Sequence, residues 1–539
     1  MGSNCFGLPG PPERRAAISA ARLFTSLLLV TQLPVPVFDL EDVLRETAAP
    51  SAPSGRLRCL AAERDWVKSL VGWLGLAEGD PVPSRRSIVG RLTLEIAAID
   101  RLVGQQLDEI LHHAAFQRLE ASWRGLHGLH LLRSNLVGNQ DHLVVLRVLD
   151  LSWSELTRDI ERAPEFDMSR IFDLVYSQEL DTPGGTPYGV LIGDYFVTHR
   201  RSKEHRDDIG TLRGMGQVAA ASFCPFVTGA DPTLLDLEAF TELERPMDLA
   251  RTFRSDDYVA WNSLRQLEDS RFLALTLPRT LMRRSYRDDA TRVDGFRYAE
   301  SVAMPPGRSS LWGNASYAFG EVLIRAFVES GWMAAIRGVD RDAEGRGLVT
   351  ELAHEWHAPE RRGVVSRGSL EVQLTETQEH ELGELGFIPL LHCNGTRYSA
   401  FYSNQSLQDW RVAVPSAARN SAAGANAKLS SMLQYMFCVS RFAHYVKVLA
   451  REKVGSFTST TELQRMLSSW LLKYATANVG STAEAQAKYP LRDARVEVLE
   501  KPGSPGAYTC RVHLQPHYQL DQLATAISLS TDLYTGHEI

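Results

Sequence analysis

The chain has 539 residues, 44% of them hydrophobic and 23% charged, so it buries a substantial core, divides into two or three domains and is not a disordered tail. A formal net charge of -7 supplies no basic excess of the kind that phosphate-backbone binding needs, which excludes nucleic acid as an expected partner. The cysteines, Cys5, Cys59, Cys224, Cys393, Cys438 and Cys510, include no CxxC pair and fit a reducing compartment, and no apolar run reaches the roughly 18 residues of a membrane span.

Residues 1–85 are punctuated by Pro9, Pro11, Pro12, Pro34, Pro36, Pro50 and Pro53 and read as a variable leader, with short helices at Asp39–Arg45 and Glu63–Leu76. Arg14 and Arg15 ahead of the apolar run Leu23–Val30 imitate a secretory signal. Glu13 dilutes the basic part, Arg22 interrupts the apolar one and no small-x-small cleavage site follows closely, so a soluble leader is expected. From Leu92 to Leu111 the residues Leu92, Ile96, Ile99, Val103, Leu107 and Ile110 recur at steps of three and four. This predicts an amphipathic helix with a nearly heptad seam, packed either into the protein's own core or against a second chain.

The region 86–375 reads as mixed α/β. Short apolar runs bounded by glycine, proline or charge predict strands at His142–Leu149, Tyr188–Ile192, Arg271–Leu277, Gly331–Arg337 and, in the next region, Gly386–Cys393. Helices are expected between them at Trp153–Arg162, Ser169–Gln178, Leu212–Phe223 and Ala315–Glu329. The region 376–539 carries helices at Asn426–Lys453 and Thr461–Tyr474; Leu463, Met466, Leu467, Trp470, Leu471 and Tyr474 line one face of the second, and Ser459 and Glu462 have capping-box spacing. After Tyr489-Pro490 the period becomes two. Arg495, Val496, Glu497 and Val498, a turn across Pro502–Gly506, then Tyr508, Cys510, Val512 and Leu514 predict a hairpin, with a further strand at Ala526–Ser530. A sheet so small and so near the chain end is not expected to be covered on both edges, and an open edge accepts strands from other chains. These hairpin residues are therefore the candidate partner-strand site.

Patterns that carry chemistry are weak by comparison. His112, His113, His127, His130 and His142 cluster in sequence without an HExxH motif, and His354-Glu355-Trp356-His357 has the wrong spacing for one, so no metal site is expected. Asp181–Pro187 is glycine-rich but lacks the GKS or GKT ending and leads into a strand, which makes it a turn. No GxSxG elbow occurs. His392 adjoins Cys393 on a predicted strand, where neighbouring side chains point to opposite faces, so they do not form a nucleophile and base. Glu268 and Asp269 have Arg265 and Arg271 beside them as ion-pair partners, and structural use is expected. No catalytic residue, cofactor or metal ligand is assigned; a cryptic hydrolase or lyase site among the clustered histidines is the competing reading from another class.

Several long strings carry a resemblance. They are Phe116–His127, Thr182–Tyr195, Glu268–Arg271 with Leu275–Arg279, Leu311–Ala315, Ser440–Tyr445 and Tyr489–Val496, and together they run in order across residues 90–530. They resemble the signature segments of the large subunit of the type VI secretion contractile sheath, the TssC or VipB family. The resemblance implies a multi-domain tail-sheath fold of mixed α/β class and a cytoplasmic structural protein that is not an enzyme. Its implied partners are a small sheath subunit (TssB or VipA type), an inner tube protein (Hcp type) and a baseplate. In some members an AAA+ disassembly ATPase (ClpV type) reads the leader, and residues 1–85 depart here from the family pattern. A sheath subunit of another contractile injection particle or phage tail is the nearest alternative.

Overall fold

The computed structural model describes residues 73, 84–138, 143–203, 205–288, 296–302, 310–338, 347–355, 368–393, 396–412, 414, 422–451, 460–476, 482–500, 507–517 and 527–534. Apart from Trp73, which is helical and buried, the leader helices lie outside the described residues, as do His142 and Trp356-His357. Packing separates residues 1–107 with 288–298 from residues 108–287 with 299–539.

In the first unit the periodic run forms most of helix α1 (Arg85–Leu111), whose last turn passes beyond the cut. Along its seam Leu92, Ile96, Val103 and Ile110 are exposed, Ile96 at 56%, while Ile99 and Leu107 are half-buried.

The second unit begins with α2 (Ala114–Val137), where periodicity alone predicted no helix. Its inner face, Ala121, Gly125, Leu129 and Leu132, is buried. Helix α3 (Trp153–Arg162) starts at the predicted residue because Ser152 and Glu155 form a reciprocal capping box. The helix expected at Ser169–Gln178 is instead a short α-turn, Arg170–Phe172, running into a π-helix, Asp173–Asp181. Strand β1 (Leu191–Val197), helix α4 (Asp208–Ser222), strand β2 (Phe226–Ala230) and strand β3 (Leu273–Leu277) follow. Next come β4 (Thr280–Leu281), β5 (Trp312–Gly313), helix α5 (Ala315–Ser330), β6 (Leu348–Val349), β7 (Phe387–His392) and β8 (Ser399–Phe401).

Six of these strands make one sheet in the order β1-β2-β3-β7-β8-β6. The first four are parallel and the last two antiparallel. A parallel sheet is covered on both faces and its strands are apolar throughout. That is what β2 and β3 show: Phe226, Leu273, Leu275 and Leu277 pack in one cluster, with Trp261 and Phe240, while Val227 and Ala274 pack in the cluster of Phe319 and Phe437 on the other side.

Four of the strings that carry the resemblance supply clamps around this sheet. Glu120 of α2 accepts from Arg283 Nε at 2.8 Å, and Arg283 also donates to Glu300 at 3.0 Å, all three side chains being nearly buried. Ser122 pairs with Asp194 of β1, Asn314 Nδ2 donates to Tyr195 O at 2.8 Å, and Arg279 grips Glu371 with two bonds of 2.7 Å. At Gly125 a Cβ would stand 2.4 Å from the Tyr317 ring, so only glycine lets α2 approach α5 this closely.

Two predicted strands are corrected. Residues 143–149 form no strand; the segment is pinned by Arg133 Nε to Val144 O at 2.6 Å and leaves Val145 and Val148 exposed. Residues 331–337 form no strand either, because Gly331 at φ +80° ends α5 and Trp332, Met333 and Ile336 bury as loop residues. Burial without a neighbouring backbone to pair with mimics a strand in sequence. The strand expected at Tyr188–Ile192 starts only at Leu191.

The single helix expected at Asn426–Lys453 is two, Ala422–Ser430 and α6 (Leu433–Arg451). Between them the backbone turns aside to pair with residues 404–406, through Ser406 N to Ser431 O at 3.0 Å and Leu433 N to Asn404 O at 2.8 Å. Helix α7 (Thr460–Leu472) then precedes β9 (Leu491–Glu500), β10 (Ala507–Pro516) and β11 (Ile527–Tyr534). No helix among the described residues is long and apolar enough to cross a membrane.

Candidate strand-exchange site

The hairpin is present: β9 and β10 are antiparallel with Val496 opposite Val512 and Val498 opposite Cys510. The third strand pairs with the other side of β10, Val512 facing Leu529 and Cys510 facing Thr531, so the order is β11-β10-β9. One face of β9 and β10 is apolar and packed. Ala494, Val496, Val498, Cys510, Val512 and Leu514 meet Leu463, Leu467 and Leu471 of α7 and Val439, Phe442 and Val446 of α6. The opposite face carries Arg495, Glu497 and Arg511, all exposed.

This assigns different roles to the predicted site residues. Val496, Val498, Cys510, Val512 and Leu514 hold the sheet to its helices, and burial keeps the Cys510 thiol neutral, pushed up to about 11. Arg495 and Glu497 face away from the helices. Tyr508, Cys510, Val512 and Leu514 stand on the central strand, whose two edges are both paired within the chain.

The direction of each backbone group follows from two side-chain caps. Ala494 N–H donates to Asp493 Oδ1 at 2.9 Å and Val498 N–H to Gln464 Oε1 at 3.3 Å, so both amides point away from β10. Antiparallel strands alternate. Arg495, Glu497 and Leu499 therefore bond β10; Cys510, Val512 and Leu514 bond β11; and the amides and carbonyls of Ser528, Ser530 and Asp532 face outward from β11. Among the described residues no strand pairs with that outer edge.

Helix α6 joins this sheet to the body. Phe442 stacks on Trp332 at 4.2 Å within the C-terminal cluster, while Leu433 and Phe437 belong to the cluster under the six-stranded sheet. His444 Nε2 donates to Ser222 O, the last carbonyl of α4, at 2.8 Å. Burial, with Arg441 and Lys447 nearby, pushes this imidazole down to about 4, so it serves as a neutral donor. Arg451 reaches Leu180 O at 3.0 Å and Thr182 O at 2.9 Å.

The other candidate chemistry is placed as follows. His112 pairs with Glu300 at 3.1 Å, whereas His113, His127 and His130 are exposed. Among the described residues no group of three or more potential ligands is placed to hold a metal. The glycine-rich turn is occupied by protein, since Thr186 N–H donates to Glu179 Oε2 at 2.9 Å and Arg147 to Thr186 Oγ1 at 3.0 Å. Cys393 Sγ lies 3.8 Å from Tyr402 Oη and burial raises its pKa. The expected ion pairing of Arg265 with Glu268 and Asp269 is corrected: its guanidinium is buried and donates to the carbonyls of Leu407 and Glu384, both at 3.1 Å.

A body built on a six-stranded sheet and a terminal sheet with one packed face match two family models. The one described as EvpB/VC_A0108, tail sheath N-terminal domain, covers residues 93–408, and the tail sheath gpW/gp25-like domain covers residues 422–533. These define a tail-sheath protein of mixed α/β fold. The chain is also 34% identical over 505 residues, 93% of its length and 96% of the relative's, to a Pseudomonas aeruginosa protein named type VI secretion system sheath protein TssC1. It belongs to the type VI secretion sheath family, as the large structural subunit.

Proposed function

We propose that this subunit pairs with a small sheath subunit through helix seams and shared strands, and that the pairs polymerise in the cytoplasm around an inner tube of Hcp type. Assembly starts on a baseplate that holds the extended state, and contraction to a state with more extensive interfaces ejects the tube. The chain itself consumes no nucleotide. The leader, residues 1–85, is the segment available to a disassembly ATPase of ClpV type, the body 86–375 forms the wall, and 376–539 carries the exchange sheet. This last region, with Arg495–Val498 and Tyr508–Leu514 in it, becomes part of an interchain sheet.

The observation that carries the reading is a sheet packed on one face by its own helices while the backbone of Ser528, Ser530 and Asp532 faces outward unpaired by any described strand. Backbone bonds across such an edge persist while the domains they tether rotate. The exposed seam of α1, with Leu92, Ile96 and Val103, supports a helical contact with the same partner.

The test is Ser530→Pro, co-expressed with the small subunit and viewed by electron microscopy. Proline removes an outward donor and spares the ladder between β11 and β10. Soluble heterodimer without tubes is expected; sheaths of normal length and abundance would sink the proposal. Val512→Pro, which breaks the central strand, is the harsher companion, expected to block tubes while leaving the heterodimer able to form.

A further inference from the structure

We infer that Arg441 of α6 is an interchain contact site: in the assembled sheath its guanidinium receives a carboxylate from a neighbouring subunit. The inference rests on the assembly reading above and adds a side-chain contact to it.

Enclosed arginines elsewhere in the body have their donors taken. Arg279 bonds both oxygens of Glu371, Arg283 bonds Glu120 and Glu300, and Arg265 donates to the carbonyls of Leu407 and Glu384. The same holds along the basic side of α6, where Arg441, His444, Lys447 and Arg451 follow one another at steps of three, three and four residues and so share a face. His444 donates to Ser222 O, Lys447 Nζ meets Tyr176 Oη at 2.8 Å and Asp181 Oδ1 at 3.2 Å, and Arg451 donates to the carbonyls of Leu180 and Thr182. Arg441 is the exception. Among the described residues no carboxylate pairs with it and no oxygen accepts from it; its guanidinium carbon lies 4.8 Å from the centre of the Tyr445 ring and 5.8 Å from that of Phe327.

Two ring faces attract the cation but offer no oxygen to its five N–H donors. They also hold the long side chain in place, so that little rotamer freedom is left to lose when an acceptor arrives. The Nε atom is enclosed and the residue as a whole half-buried, which leaves the two η nitrogens as the accessible part of the fork. A planar fork matches the two oxygens of a carboxylate. A free oxyanion would have to be held by this single charge, since burial keeps His444 neutral and Lys447 is already paired with Asp181. A carboxylate fixed to a docked chain has given up its freedom in docking and needs only the one. Helix α6 also carries the terminal sheet on Val439, Phe442 and Val446, so a subunit that engages that sheet is brought to this helix.

The experiment uses the full chain co-expressed with its small sheath subunit as wild type, Arg441→Gln and Arg441→Lys. Thermal unfolding of the unassembled complex and the yield of tubes in electron micrographs are measured. Arg441→Gln is expected to leave the melting midpoint within about 2 °C of wild type and to lower tube yield about tenfold. Arg441→Lys keeps the charge over the rings but loses the fork; it is expected to fold as wild type and to give an intermediate yield. Raising salt from about 0.1 to about 0.5 M should cost wild type more tubes than Arg441→Gln, and adding inorganic phosphate should leave every melting midpoint unchanged. Wild-type tube yield from either variant overturns the contact. So does a melting midpoint that falls by more than about 5 °C in the unassembled Arg441→Gln complex, which would make the stacking an internal support, or one that phosphate raises in wild type but not in Arg441→Gln, which would make the site one for a free anion. Failure of the wild-type pair to form tubes sinks the assembly reading itself.

Discussion

In the six-stranded sheet β2 and β3 are buried along their whole length, whereas in the terminal sheet burial alternates, Val496 and Val498 inward and Arg495 and Glu497 outward. The body holds its strands by side chains on both faces, reinforced by buried ion pairs such as Arg283 with Glu120 and Glu300. The terminal sheet holds its strands by one face and leaves a backbone edge over. The difference teaches how each region is held: the body by side chains on both faces of its sheet, the terminal sheet by one face, with its completion by a neighbour being the proposed reading. Side-chain changes should therefore be felt most in the body, and backbone changes most in assembly.

The largest side-chain effect is expected from Arg283→Met, which takes the guanidinium from between two nearly buried carboxylates and leaves Glu120 to Arg124 and Glu300 to His112 and the Tyr286 amide. Breaking a buried pair in this way costs about 3–5 kcal/mol, read from denaturant unfolding of the purified subunit complex. A loss below about 1 kcal/mol would show that the body tolerates what its burial says it should not. Glu321→Gln probes the same region through pH. Burial pushes the Glu321 carboxyl up to about 8 from 4.5, Arg325 offsetting part of it. The folded state then holds a proton that the unfolded state releases above about pH 4.5, so the native chain loses stability as pH rises towards 8. The glutamine variant is expected to match wild type near pH 4.5 and to gain on it progressively up to pH 8, by a few kcal/mol on the order of the linkage. Parallel stability curves would refute the assignment.

Gly125→Ala comes next. Its methyl meets the Tyr317 ring at 2.4 Å, and relief of that overlap is expected to cost about 1–3 kcal/mol in thermal unfolding while tubes still form. Smallest is Arg495→Ala with Glu497→Ala, on the exposed face of β9. Stability should change by less than about 0.5 kcal/mol and tube length not at all, since exchange runs through backbone groups. Shortened tubes would move the contact from the edge to the face of the sheet.

The sequence was most legible where one physical rule governed a stretch. Trp153–Arg162 forms over the residues expected, and the alternation of Val496, Val498, Cys510, Val512 and Leu514 carried through to the hairpin and its buried face. It was least legible where burial came from long-range packing. Residues 331–337 look like a strand because Trp332 and Ile336 are buried, but the partner backbone is missing. Helix α2 escaped notice because Gly125 and Gly128 interrupt an already sparse apolar face. At the candidate site, the pattern named the hairpin but not its place in the sheet. That β10 is central, and that Gln464 accepts from the Val498 amide, depends on contacts across tens of residues that no local period records.

Helix α6 has a mechanical corollary. Because Phe442 and Val446 are fixed in one core and Leu433 and Phe437 in the other, with His444 and Arg451 tied to carbonyls of the body, a pull on the terminal strands loads a rigid strut and not a slack tether. The two cores should melt in a single transition, and a fragment beginning after Arg451 should not keep its shape, since Val439, Phe442 and Val446, on which its strands pack, would be gone.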